Sequence, residues 1–225
     1  MNIKNALDFL EELKKNNNRD WFNAHKERYL VIKAEFEQLT ETLIDEISKF
    51  DKSIVGLSAK DCIFRIYRDT RFAYDKTPYK THFGTYIAAK EGRRSEHAGY
   101  YLHIDPDGPF FSCGVWQPDK VLLRHLRTSI YDNYDEWNDI ISENNFVNTF
   151  DERWYEQDML KTVPRQFPKD AQSAYFLRLR HYLVSKNFTI DEIQVRNLVH
   201  NLVEIARVGE MMNRFLNFTV DEFGF

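Results

Sequence analysis

GYYLHIDPDGPFFSCGVW, residues 99–116, decides the fold. Two aromatic-rich runs, GYYLHID and FFSCGVW, flank the turn signal PDGP, so they pair as a β-hairpin. Alternation puts Tyr101, His103 and Asp105 on one face of the first strand, and Tyr100, Leu102 and Ile104 on the other. Upstream, CIFRIY at 62–67 and FGTYIAA at 83–89 read as two more strands, rich in β-branched and aromatic residues. Downstream, HYLVSKNF at 181–188 reads as a further strand. Short strands close in sequence and joined by a tight turn favour antiparallel pairing.

The flanks are helical. Ile3, Leu7, Leu10 and Leu13 lie at helical spacing until NNNRD at 16–20 breaks the pattern. Asp20 is a candidate cap for WFNAHKERY, where Trp21 and Phe22 staple the first two helices. Tyr29, Ile32, Phe36, Leu39, Leu43 and Ile47 mark a longer helix. After the hairpin, Pro118 suits a helix start, followed by the stripe Val121, Leu122, Leu126 and Ile130. Arg124 is expected in solvent, and Arg127 faces either solvent or sheet. Trp137, Ile140 and Ile141 suggest a short helix, and 146–170 reads as irregular. Thr189 with Glu192 forms a capping box opening a last helix, which Gly209 is expected to break. Helices, strands, then helices predict an α+β fold, a mostly antiparallel sheet with helices packed mainly on one side. No repeat or linker divides residues 1–225, so one domain is expected.

The 225 residues are 43% hydrophobic and 29% charged, as in an ordinary globular protein with a sizeable core. A net charge of −4 argues against a general nucleic-acid binder. MNIKNALDFLEELKK reads as an amphipathic helix and not as an export signal. No apolar run approaches the ~20 residues of a membrane span. The expectation is a cytoplasmic protein without membrane contact, with Cys62 and Cys113 as reduced, buried and inert thiols. The glycine-rich dinucleotide fingerprint, the phosphate-binding loop, HExxH, paired CxxC motifs and GxSxG are all missing, and no cofactor is expected. Of seven histidines, His82 and His103 lie on predicted strands near Asp105. Imidazole and carboxylate both ligate transition metals, but this spacing is nonspecific. Ordinary histidines are the expectation, and no metal.

The remaining signal is RIYRDTRFAYDKTPYKTHFG, residues 65–84. Arg65, Arg68, Arg71, Lys76 and Lys80 face only Asp69 and Asp75 there, a local surplus of positive charge in an acidic chain. Guanidinium groups bind phosphate and carboxylate bidentately and stack on aromatic rings, which Tyr67, Phe72, Tyr74 and Tyr79 supply. Either the cluster is an anion site, or Asp69 and Asp75 pair with the arginines and pin a long loop to the sheet. The surplus of cations favours the site. Its expected residues are Arg65, Tyr67, Arg68, Arg71, Lys76, Tyr79, Lys80, His82, His103 and Trp116. His82 or His103 would carry protons if there is catalysis. Trp116 also has a reading as core, and Asp119 would compete with an anion at the start of the following helix. The alternative function is a module docking an acidic protein or a nucleic-acid strand, since aromatic platforms beside cations suit single strands.

Three ordered segments, RIYRDTRFAYDKTPYKTHFG, GYYLHIDP and GVWQPDKVLLRHLR, resemble a widespread microbial family, domain-of-unknown-function family 2461. The resemblance begins at DFLEELKKNNNRDWFNAHKERY and covers most of the chain. It implies a stand-alone soluble domain and supplies no catalytic residue, substrate or cofactor. The family pattern has a double glycine before the tryptophan of the third motif. Here the order is Cys113-Gly114-Val115-Trp116, so any close approach permitted by a second glycine is altered.

Overall fold

The computed structural model describes residues 1–150 and 154–225. Its N-terminal part contains α1 (Ile3–Lys15), α2 (Arg19–Ala24), α3 (Lys26–Ile47) and the short α4 (Ala59–Cys62). Three strands follow, β1 (Phe83–Ile87), β2 (Gly99–Ile104) and β3 (Phe110–Val115). The chain then runs through α5 (Lys120–Asp132), α6 (Tyr134–Ser142), α7 (Asn144–Thr149) and α8 (Ala174–Leu177). It ends with β4 (Tyr182–Asn187), α9 (Ile190–Ile193) and α10 (Leu198–Phe223).

The expected hairpin forms, with Leu102 opposite Phe111 and Tyr100 opposite Cys113. All pairings are antiparallel, in the order β1-β2-β3-β4. The pleat sorts the side chains. Phe83, Leu102, Ile104, Phe111, Cys113 and Val184 are buried on one face, which α3 and α10 cover. Tyr101, His103 and Phe110 alternate onto the other face, where they are only partly covered. The fold is α+β, with an antiparallel sheet and helices packed mainly on one side.

Several local expectations change. CIFRIY is not a strand: Cys62 closes α4, and the segment beyond it makes only isolated bridges, Ile63 with Thr85 and Tyr67 with Tyr79. Asn18, not Asp20, caps α2, its side-chain oxygen accepting from Trp21 N. Helix α5 starts at Lys120, two residues after Pro118, because Asp119 accepts from the N–H groups of Val121 and Leu122. The stretch 146–170 opens inside α7, and residues 151–153 within it lie outside the described residues.

Gly209 does not break α10. A Cβ there would lie 2.4 Å from Cys113 Sγ, so the glycine lets the helix close onto β3. Asn217 then clamps the sheet, accepting from Ala98 N at 2.7 Å and donating to Ala98 O at 3.0 Å. Both cysteines are buried and free, as expected, and burial raises both thiol pKa values, that of Cys62 to about 12.

Candidate functional site

The basic segment splits in two. Its first residues run beside the edge of β1, with Phe64 N donating to Gly84 O and Lys80 N to Ile66 O. Residues 68–78 form a loop closed by Arg68 N donating to Pro78 O at 2.9 Å. The loop is held to the helices by the breaker NNNRD. Asn17 donates to Tyr79 O at 2.9 Å and accepts from Tyr79 N at 3.1 Å. Tyr79 is buried and stacks on Phe22 with ring centroids 4.0 Å apart, so it is an anchor, not a ligand contact.

Within the loop the cations are already partnered. Arg68 binds Asp75 and Thr77, Arg71 binds Asp69 at 2.7 and 3.0 Å, and Lys76 donates to Thr70 O at 2.9 Å. For these three residues the contacts are those of the loop-pinning reading. Hydrogen bonds from Arg68 and Thr77 lower the Asp75 pKa from 3.8 to about 2. A depressed carboxyl stabilises above its unfolded pKa and loses that contribution as pH falls through the folded value. Acidification from pH 3.8 towards 2 is expected to free the loop, and Asp75→Asn to do so at neutral pH. Limited proteolysis at 69–76 checks this, and an unchanged cleavage rate in the variant counts against the lock.

Arg65, Tyr67 and Lys80 instead line a cleft of about 650 Å³. It lies between α3, the segment 63–67 and a turn at Gly92–Arg94. Tyr29, Phe36, Ile63, Ile66 and Phe83 give it an apolar wall. Six cations line it, Lys33, Lys60, Arg65, Lys80, Arg93 and Arg94, against a single carboxylate, Glu37. Lys33 takes Glu37 at 2.6 Å, and Arg93 caps α4 through the carbonyls of Lys60 and Asp61. Lys60, Arg65, Lys80 and Arg94 pair with no carboxylate among the described residues. Burial, then the charge of Arg65, lowers the Lys80 pKa, and its ammonium lies 5.2 Å from the Phe64 ring centre. Burial raises the Tyr29 phenol to about 12, so it stays a hydrogen-bond donor at neutral pH. A smaller hollow of about 420 Å³ carries Arg124 and Asp132 together and shows no such imbalance.

The two expected histidines meet on the open face of the sheet. Their rings are 4.4 Å apart, and His103 Nε2 lies 3.5 Å from Asp105 Oδ2. Burial, then the charges of His103 and Lys80, lowers the His82 pKa to about 4. His82 is therefore neutral at pH 7 and does not titrate where a proton carrier should. Burial raises the Asp105 pKa, but hydrogen bonds from His103 and Asp107 N outweigh it and hold the group below its ordinary value. Trp116 belongs to neither place. It is half exposed, not core, and stacks on His181 at 4.0 Å. His181 accepts from Gln117 N at 2.9 Å and bonds Asp158 at 2.9 Å, which fixes the turn into α5.

A family model described as "Conserved hypothetical protein (DUF2461)" matches residues 5–215. The chain belongs to this family. No curated protein and no solved structure matches it. The DUF2461 span includes every residue of the cleft and of the histidine cluster. No helix among the described residues of this DUF2461 member is long and apolar enough to cross a membrane.

The reading of 65–84 missed Lys60, Arg93 and Arg94, which approach only through the fold. KEGRR at 90–94 was a second basic run in the sequence and the one available signal. Asp119 is spent on its own helix cap, so the start of α5 offers no anion site. Arg124 is exposed as expected, whereas Arg127 turns inward and donates to Leu179 O at 2.7 Å.

Proposed function

We propose that the protein binds a small phosphate- or carboxylate-bearing ligand in the cleft beside α3. The observation that carries this reading is the set Lys60, Arg65, Lys80 and Arg94, four cations around one hollow without a carboxylate partner among the described residues. Cations gathered in partly desolvated space repel one another, and an anion relieves that repulsion with charge-assisted hydrogen bonds. The volume lies within the usual range for a small-molecule pocket, and the apolar wall suits a ligand with an apolar body behind its charged group.

A thermal-shift screen with pyrophosphate, sugar phosphates and dicarboxylates tests the reading. A ligand at about 100 times its Kd stabilises by about 2.7 kcal/mol, or roughly 5–10 °C for a chain of this size. Arg65→Ala is expected to weaken binding at least about 10-fold, the usual worth of a hydrogen bond to a charged group. Arg68→Ala, which touches only the loop, should leave affinity intact. If no such anion shifts the midpoint, or Arg65→Ala binds as well as the parent, the reading fails.

One observation favours a docking role instead. Phe72 and Tyr74 stand fully exposed at the tip of the 68–78 loop beside Arg71. Binding of a single strand or acidic peptide that weakens steeply with salt and is lost in Phe72→Ala would support that reading.

A further inference from the structure

We propose that His82, His103 and Asp105 bind one divalent transition-metal ion of the zinc class, with at least one coordination position open to solvent. This site is separate from the anion cleft and does not depend on it. Sequence spacing alone favours ordinary histidines, and the assembled geometry changes that balance.

The pleat puts the three side chains together. His103 and Asp105 are two apart on β2 and share a face. Phe83 pairs with Ile104, so His82, the residue before β1, falls opposite Asp105 on that same face. Their donor atoms lie within 4.8 Å of one another. Ligands about 2.0–2.2 Å from a tetrahedral metal stand roughly 3.3–3.5 Å apart. His103 Nε2 and Asp105 Oδ2 are already at 3.5 Å. Small side-chain rotations bring in the imidazole of His82.

The surroundings orient the donors as outer partners of metal ligands do. Tyr101 Oη lies 2.8 Å from His103 Nδ1 and accepts its proton in the tautomer that leaves Nε2 free for a metal. Phe110 stacks on the His103 ring at 4.6 Å, which limits its rotation. Asp107 N donates to Asp105 Oδ1 at 2.8 Å, leaving Oδ2 to face the imidazoles. Among the described residues the His82 ring makes a tilted contact with the His103 ring and no protein hydrogen bond. The side chains of His103 and Asp105 are 15% and 17% exposed, so an ion can enter while the donors stay mostly out of water. Lys80 opposes a cation here, but its ammonium lies over Phe64. Two imidazoles and one carboxylate with an open position match catalytic zinc and non-haem iron sites, not the oxygen-only cages of calcium or magnesium.

The test is calorimetric titration of chelator-stripped protein with Zn²⁺, with Co²⁺ absorption as the coordination signature. One equivalent should bind, and cobalt should give visible ligand-field bands. His103→Gln on β2 and His82→Asn just before β1 should each weaken zinc binding at least about 10-fold while metal-free melting stays cooperative. Tyr101→Phe should cost about 10-fold with the stoichiometry kept, as loss of an outer partner does. A folded parent that binds no zinc overturns the proposal. So does full-affinity binding in a folded His82→Asn/His103→Gln double variant, which would place the ion elsewhere.

Discussion

Gly114→Ala is expected to destabilise the fold by about 3 kcal/mol or more, lowering the melting temperature by roughly 6–12 °C. Gly114 sits in β3 at φ 121°, a conformation that side-chain-bearing residues rarely adopt. A Cβ there would lie 2.1 Å from Tyr182 O and 2.7 Å from Leu183 Cα. Both are backbone atoms of the β3–β4 ladder, where Gly114 pairs with Leu183, so nothing can rotate aside. The Gly114 carbonyl also accepts from the Tyr86 hydroxyl at 3.0 Å. Gly108 in the PDGP turn is the control, because a Cβ there meets nothing within 4 Å. Thermal denaturation of both variants checks the contrast. A loss at Gly114 no larger than at Gly108 would mean that β4 can shift.

Trp137→Ala is expected to cost about 3–5 kcal/mol, the usual range for emptying a buried aromatic site. Trp137 on α6 is wholly buried, and its ring lies 5.2 Å from Phe215, 5.7 Å from Phe176 and 6.1 Å from Tyr182. One side chain thus joins α6 to α8, β4 and α10. Its indole N–H has no partner among the described residues, so the polar handle adds nothing to the packing. Trp137→Phe should therefore lose far less, about 1–2 kcal/mol. Urea unfolding of the pair measures the difference. Equal losses would show that shape, and not buried area, sets the energy there.

What the sequence disclosed follows from the range of the interactions involved. The 99–116 hairpin was legible because turn chemistry and alternation are local, and they agreed. The Thr189–Glu192 box was legible for the same reason, and both its bonds form. CIFRIY misled because strand composition does not reveal whether a partner strand is in reach. Gly209 misled because its effect on helix propensity is local, whereas the approach of Cys113 that it permits is not. The basic segment was only partly legible for a similar reason. Charge counting finds Arg68 and Asp75 but not that they bond each other, and it finds Arg65 but not Lys60 or Arg94 across the cleft. Asn17, inside an obvious helix breaker, proved to be the clasp for Tyr79.

The position of β4 has a consequence for synthesis. Cys113 on β3 waits for Val184, about 70 residues later in the chain. At roughly 5–20 residues per second, a ribosome needs about 4–14 s to make the missing strand. For that interval the nascent meander shows one row of unsatisfied amides and carbonyls beside exposed aromatic surface, the template that invites a neighbouring chain to pair. Chaperone demand should accordingly peak during translation of the 118–187 stretch and fall once the closing strand emerges.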